Sequence, residues 1–238
     1  MEDDDDVPQL SASTLAALQS FLREQKAEQA HENEEEVGGS GFSGADAAAS
    51  AGGDYEMVKE NWGMSQFWYD ADTSKIVADE LHHLTADSSR TLPIACVACP
   101  SLYTQLKKSY PEAQVRLFEF DQRFSKYGAD FVFYDYNQPL DIPSELQQSF
   151  HVVVADPPYL SQECLEKTVE TMKYLAKDPE NSPLMLLTGG VQRDNALKFL
   201  NARRCRFRPA HTNKLGNEFL LFTNYDPQSR LGGWDVDD

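Results

Sequence analysis

Nowhere in this 238-residue sequence do about 18 apolar residues run together, the least a membrane-crossing helix needs. The first residues, MEDDDDVPQL, are acidic where a secretory or mitochondrial leader would be apolar or rich in arginine. The expectation is a soluble protein of the cytoplasm. Cysteine is scarce too: Cys96, Cys99, Cys164 and Cys205 are too few for a disulfide scaffold and fall in apolar or helical contexts, so they should be reduced. Cys96 and Cys99 have the C-x-x-C spacing but no second pair to complete a four-thiolate site. They read as small buried residues where a strand turns toward its helix, and no metal is expected. His82 and His83 have no companions at metal-ligand spacing.

Basic residues are outnumbered, 21 lysines and arginines against 39 acids, and residues 1–60 alone hold 15 acids and three bases. Such an acidic segment repels phosphate backbones, which disfavours an autonomous nucleic-acid binder. It suits a basic protein partner, or it simply keeps a disordered stretch solvated. The sole basic cluster, Arg203, Arg204, Arg206 and Arg208, is more ordinary as a solvated face than as a contact for RNA or an acidic partner.

What is present divides the chain. Residues 1–8 form an acidic tail, and 9–30 carry Leu15, Leu18 and Leu22 at helical spacing behind Ser11 or Ser13 as a cap, predicting an amphipathic helix. Residues 31–54, acidic then rich in Gly, Ala and Ser, predict a disordered linker. From 55 to 238 strand-like runs alternate with helical ones. LPIACVAC, AQVRLFEFD, ADFVFYDY, FHVVVAD and PLMLLTGG read as strands, followed by CRFRPAHT and NEFLLFTNY joined by a short turn near Gly216. Helical patterns at DTSKIVADELHHL, SLYTQLKKSY, SQECLEKTVETMKYLAK and RDNALKFLNA lie between them. This alternation predicts an α/β, Rossmann-like open sheet of seven strands, mainly parallel, with a terminal antiparallel hairpin and helices on both faces.

In such sheets ligands bind beyond the carboxyl ends of the strands. The first four end in ACPSLY, EFDQRF, YDYNQP and ADPPYL, and three of these loops carry an acid. Asp121, 22 positions after Cys99, has about the spacing of an acid that accepts hydrogen bonds from ribose hydroxyls, though a solvated loop acid is the plainer alternative. Its place at the expected strand terminus ranks it ahead of Glu119. The first loop has no glycine, which argues against a pyrophosphate cofactor and leaves room for one with an adenosine and a small amino-acid part, such as S-adenosylmethionine.

The fourth loop is the informative one. The Val152–Val154 run ends in Asp156-Pro157-Pro158-Tyr159. The prolines fix the backbone, so the Asp156 carboxylate and the Pro157 carbonyl can accept hydrogen bonds from one amine, with Tyr159 as an aromatic wall. Holding that amine aims its lone pair at an electrophilic methyl carbon. A lysine nucleophile, with an ordinary pKa near 10.4, needs about 3 pH units, or roughly 4 kcal/mol, to shed its proton near neutrality.

SQFWYD, IACVACPSLY, LFEFDQRF, DFVFYDYNQP and VVVADPPYLSQECLEK, in that order, resemble the elongation factor 1-alpha lysine methyltransferase 1 family, a group once assigned to adenine-specific DNA methylation. The likeness spans roughly residues 8–30 and 55–227. It implies a class I, seven-strand domain that uses S-adenosylmethionine and methylates a lysine of elongation factor 1-alpha. It further implies that Gln66, Phe67, Trp68 and Tyr69 close over the cofactor and that Pro100 and Ser101 line its methionine part. Asp121 falls on the ribose acid, and Asp135 on the acidic position near the adenine amino group. Asp156, Pro157 and Tyr159 fall on the catalytic motif, Asp156 also touching the cofactor. Tyr134 and Tyr136 could be pocket walls or plain strand residues. Two rivals stand beside this reading: a nucleic-acid amino methyltransferase acting on adenine N6 or guanine N2, and an acidic scaffold without catalysis.

Overall fold

The computed structural model describes residues 55–86, 91–213 and 218–235. The expected acidic tail (1–8), amphipathic helix (9–30), linker (31–54) and turn near Gly216 lie outside the described residues. Seven strands form one sheet: β1 (Ile94–Val97), β2 (Val115–Glu119), β3 (Phe131–Phe133), β4 (Val152–Ala155), β5 (Leu184–Gly189), β6 (Arg203–Arg204) and β7 (Phe219–Thr223), in the order β3-β2-β1-β4-β5-β7-β6. The pairings β2–β3, β1–β2, β1–β4 and β4–β5 are parallel, and β7 runs antiparallel between β5 and β6.

Both faces of the central strands are covered, which is why their sequences are apolar without interruption. Ile94, Cys96, Val152 and Val154 pack on one side with Val77 and Leu81 of α1 (Ala71–Thr85) and Leu102 and Leu106 of α2 (Pro100–Ser109). Their sequence neighbours Ala95, Val97, Val153 and Ala155 pack on the other with Leu165, Met172 and Leu175 of α3 (Gln162–Leu175) and Ala196 and Leu200 of α4 (Arg193–Leu200). Local chemistry sets the helix ends. Asp70 Oδ1 accepts the Thr73 amide at 2.7 Å to start α1, Pro100 occupies the first turn of α2, Ser161 Oγ accepts the Cys164 amide to start α3, and Asn201 closes α4 in the left-handed region.

The penultimate expected strand is a correction. CRFRPAHT, 205–212, does not extend along β7; the ladder covers only Arg203 and Arg204. After Cys205, whose amide still reaches the Leu221 carbonyl, the chain leaves the sheet. The Arg206 and Phe207 amides bond the Gly233 and Leu231 carbonyls instead, and Pro209 has no amide to give. Residues 210–212 then pair with the segment before α1: Asp70 N–H donates to Ala210 O at 3.0 Å, Thr212 N–H to Trp68 O at 2.9 Å, and Tyr69 faces His211 in an antiparallel bridge.

β1 pairs with β2 on one side and β4 on the other, so strand order reverses there and the loops after β1 and β4 part from neighbouring residues, Val97 and Ala155. That divergence opens the crevice.

Candidate active site

A cavity of about 680 Å³ fills the crevice, walled by residues 63–68, 98–101, 119–120, 134–137 and 156–160 with His211 and Phe219. Its size suits a small molecule together with one substrate side chain. Three carboxyl groups, Glu119, Asp135 and Asp156, line it, and no lysine or arginine does so among the described residues. Pro157, Pro158 and Tyr159 continue the wall beyond Asp156, with the Tyr159 ring edge-on to Tyr136 at 5.7 Å.

The Asp156 amide bonds the Val97 carbonyl at 3.0 Å, which sets the start of the Asp-Pro-Pro-Tyr turn one residue past the ladder. The far end is held by the β5 edge. Gln192 Nε2 donates to the Leu160 carbonyl at 2.6 Å, Asn195 Nδ2 holds Gln192 Oε1 at 2.9 Å, and a Cβ on Gly189 would stand 2.9 Å from Leu160 Cδ1 and Cδ2. Asp156 is reached from the cavity, yet protein atoms surround it. This desolvation pushes its carboxyl up to about 8, with a neighbouring Tyr69 hydroxyl opposing and the Glu119 charge adding to the rise. Tyr69 is itself buried. Its hydroxyl lies close enough to favour the Asp156 anion but short of full hydrogen-bond geometry with any partner, and burial followed by the Asp156 charge holds its proton firmly.

Of the sequence-derived residues, Gln66, Phe67, Trp68, Pro100, Ser101, Asp135, Asp156, Pro157 and Tyr159 come together on this wall. Two do not. Tyr69 packs behind the wall against Asp156, and Asp121 is turned away from the cavity. Asp121 lies two residues past the end of β2, buried, its Oδ2 accepting from Gln66 Nε2 at 2.8 Å and from Arg123 at 2.7 Å. Burial would raise its carboxyl, but the Arg123 and Gln66 hydrogen bonds override that and hold it below the ordinary range. Asp121 is a clasp: through Gln66, whose Oε1 also accepts the Asn61 amide at 3.1 Å, it fixes the segment that walls the crevice.

The acid that faces the cavity is Glu119, the last residue of β2. Its Oε1 accepts the Asp121 amide at 3.0 Å; burial, outweighing that bond, raises its carboxyl to about 7. Two residues past β3, Asp135 Oδ1 accepts from the Asn137 backbone and side-chain amides at 2.8 and 3.0 Å. Sequence reasoning also missed Phe120, His211 and Phe219, the last two because nothing local announces that their segments meet the crevice.

The first loop does without glycine in an informative way. Ala98 takes φ 53°, a left-handed turn ordinarily given to glycine, with its amide bonded to the Phe118 carbonyl at 2.8 Å. An alanine there costs about 1–2 kcal/mol and puts a methyl group on the cavity wall. Cys96 and Cys99 are both buried, Cys99 Sγ lying 3.7 Å from the Val154 carbonyl, and burial raises the Cys99 thiol well above its ordinary value. Among the described residues no group of three or more His, Cys, Asp or Glu could hold a metal, and no helix is long and apolar enough to cross a membrane.

The strand order and the crevice at its switch point define a Rossmann-like domain, and comparison with known proteins makes it a methyltransferase. Residues 60–227 match the family model described as "Probable N6-adenine methyltransferase". EEF1A lysine methyltransferase 1 of Homo sapiens is 42% identical over 94% of this chain and 95% of its own length. A protein-lysine N-methyltransferase of Caenorhabditis elegans is 39% identical over 94% and 97%. A branched-chain polyamine synthase of Thermus thermophilus, 12% identical, shares the fold with a TM-score of 0.55 over 70% of this chain and 59% of that one. The chain belongs to the EEF1A lysine methyltransferase 1 family of protein-lysine methyltransferases.

Proposed function

We propose that this protein transfers a methyl group from S-adenosylmethionine to a lysine of elongation factor 1-alpha. The observation that carries this reading is the charge of the wall: three carboxyl groups and, among the described residues, no lysine or arginine, around the Asp-Pro-Pro-Tyr turn. Such a crevice favours cations, and both an alkylated sulfonium and a lysine ammonium are cations. It disfavours a phosphodiester.

The donor set fits the cofactor. Glu119, a buried acid with no basic side chain bonded to it among the described residues, suits ribose hydroxyls; Asp135 suits an exocyclic amine; Pro100 and Ser101, at the start of α2, suit the amino-acid part. The bound cofactor supplies an activated methyl group. Asp156 and the Pro157 carbonyl accept hydrogen bonds from the lysine Nζ, and Tyr159, half exposed at the mouth, forms the side of the slot its stem enters.

Glu119 and Asp156 give the site a pH dependence. Both carboxyl groups are raised, to about 7 and about 8, so each takes up a proton as pH falls, and a cation prefers their ionised forms. The affinity for S-adenosylmethionine should therefore rise from pH 6 to pH 8.5, with protons released on binding. S-adenosylhomocysteine, whose sulfur is neutral, should change less. Titration calorimetry in buffers of different ionisation enthalpy measures both, and equal slopes for the two ligands would remove the electrostatic account.

The family description supplies a second reading, amino methylation of adenine. A base must be flipped or single-stranded to enter such a site, usually along a basic channel. Three of the four arginines of the cluster are otherwise engaged: Arg204 and Arg208 pair with Asp235 at 2.7 and 3.2 Å, and Arg203 lies over the Trp234 ring. Labelled S-adenosylmethionine with the purified protein, offered unmethylated elongation factor 1-alpha and adenine-containing single-stranded DNA and RNA, decides. Label on a lysine of the protein substrate is expected; label in nuclease-sensitive material reverses the assignment.

A further inference from the structure

The geometry points to His211 as the group that takes the proton from the substrate ammonium before methyl transfer, an inference that rests on the lysine reading above. An ammonium nitrogen has no lone pair, so one proton must leave Nζ first. Asp156 is poorly suited to remove it: where ionised it stabilises the ammonium beside it, and with its carboxyl pushed up to about 8 by burial it holds its own proton near pH 7. The remaining titratable groups on the wall narrow the choice. The Cys99 thiol is held protonated by burial. Tyr134, raised by burial to about 12, shares a hydrogen bond with Thr171 at 3.0 Å. Tyr136 is likewise raised, and Tyr159 forms the side of the slot that the lysine stem enters. Glu119 ends β2 and Asp135 lies two residues past β3, where the cofactor's ribose and base fit.

His211 differs from all of these. It lines the cavity, half-buried, and its imidazole makes no hydrogen bond among the described residues. The ring is clamped, 4.5 Å from Tyr69 on one side and 4.7 Å, edge-on, from Phe219 on the other. Tyr69 is also the residue that packs against Asp156, so the imidazole stands one ring away from the carboxylate that receives the amine. The antiparallel bridge between 69 and 211 fixes this relation. Burial lowers the His211 pKa, against the opposing charges of Glu60 and Asp70; Tyr69 stays protonated, and from β7 Phe219 brings only a ring. The imidazole is then neutral near pH 7 and free to accept.

The step balances within the site. The Nζ–H bond breaks and its electron pair stays on nitrogen as the attacking lone pair. The proton, directly or through one water, forms an N–H bond on the imidazole. The resulting imidazolium returns it to solvent at the cavity mouth.

Full-length protein carrying His211→Gln, with His211→Phe as a variant that keeps the ring stack, is assayed in single turnover on unmethylated elongation factor 1-alpha from pH 5.5 to 10. The wild-type rate should climb with pH along a limb whose midpoint matches the His211 titration followed by NMR of its imidazole protons. Both variants should lose the imidazole's share of that limb, keeping the rise set by Glu119 and Asp156, and roughly 10²-fold in rate at pH 7. The deficit should shrink toward pH 10, where lysine deprotonates unaided, and S-adenosylhomocysteine should bind as before. A wild type that methylates the lysine while both variants keep its rate and pH profile overturns the His211 role alone. An imidazole titrating above pH 8, and so protonated when it should accept, does the same. A wild type that labels nucleic acid and no protein overturns the lysine reading, and this inference with it.

Discussion

Asp156→Ala should leave a folded protein that transfers methyl groups roughly 10²- to 10³-fold more slowly, the scale on which one well-placed orienting or electrostatic contact acts. The loss should appear in kcat, because the carboxylate aims the nucleophile, while the Kd for S-adenosylhomocysteine moves far less. The same variant should not melt sooner. Asp156 holds its proton up to about pH 8 in the folded protein, whereas an exposed aspartate releases it near 3.9, roughly its ordinary value. The folded state thus binds a proton that the unfolded chain gives up between those values, and stability falls as pH rises through the window. Removing the carboxyl should flatten this slope and raise Tm at pH 7.5. Rate measurements and thermal melts on one preparation test both halves. A variant that melts far below the wild type, or that keeps full kcat, refutes the account.

Glu119→Ala should weaken S-adenosylmethionine binding by about 10²-fold, since a carboxylate accepting two hydroxyl hydrogen bonds contributes about 1.5 kcal/mol or more through each. Asp121→Ala provides the contrast. It releases the bonds to Gln66 and Arg123, so it should cost about 1–2 kcal/mol of stability, Arg123 being partly exposed and screened, and less than tenfold in cofactor affinity. Calorimetry and melting curves on the two variants separate a residue that touches the ligand from one that holds the wall. The reverse pattern, with Asp121→Ala abolishing binding and Glu119→Ala harmless, would restore the ribose role to Asp121.

That pair shows where sequence reasoning stops. The central strands were legible because burial on both faces leaves their residues continuously apolar, and the acid after Val152–Val154 was legible because two prolines cannot continue a strand. Spacing alone could not tell which of Glu119 and Asp121 lines the cavity. The sequence EFD looks like strand throughout, but β2 ends at Glu119, and the chain turns there so that the next acid points into a clasp with Arg123. The lack of glycine in the first loop was plain in the sequence, yet its left-handed turn was hidden, because alanine carries no signal for positive φ. CRFRPAHT has the composition of a strand and only its threshold joins the sheet; the rest is claimed by residues 231–234 and 68–70, partners distant in sequence. His211 was invisible for that reason.

The bridge between residues 69 and 211 also makes one flank of the crevice depend on a segment late in the chain. A chain emerging from the ribosome exposes the Asp-Pro-Pro-Tyr turn early, but the opposite flank arrives only with His211, and β5 gains its antiparallel neighbour only with Phe219–Thr223. Until then the nascent polypeptide has an open cleft with no ceiling. A product ending before His211 would keep the Asp-Pro-Pro-Tyr turn but lack one flank of the crevice and the antiparallel neighbour of β5.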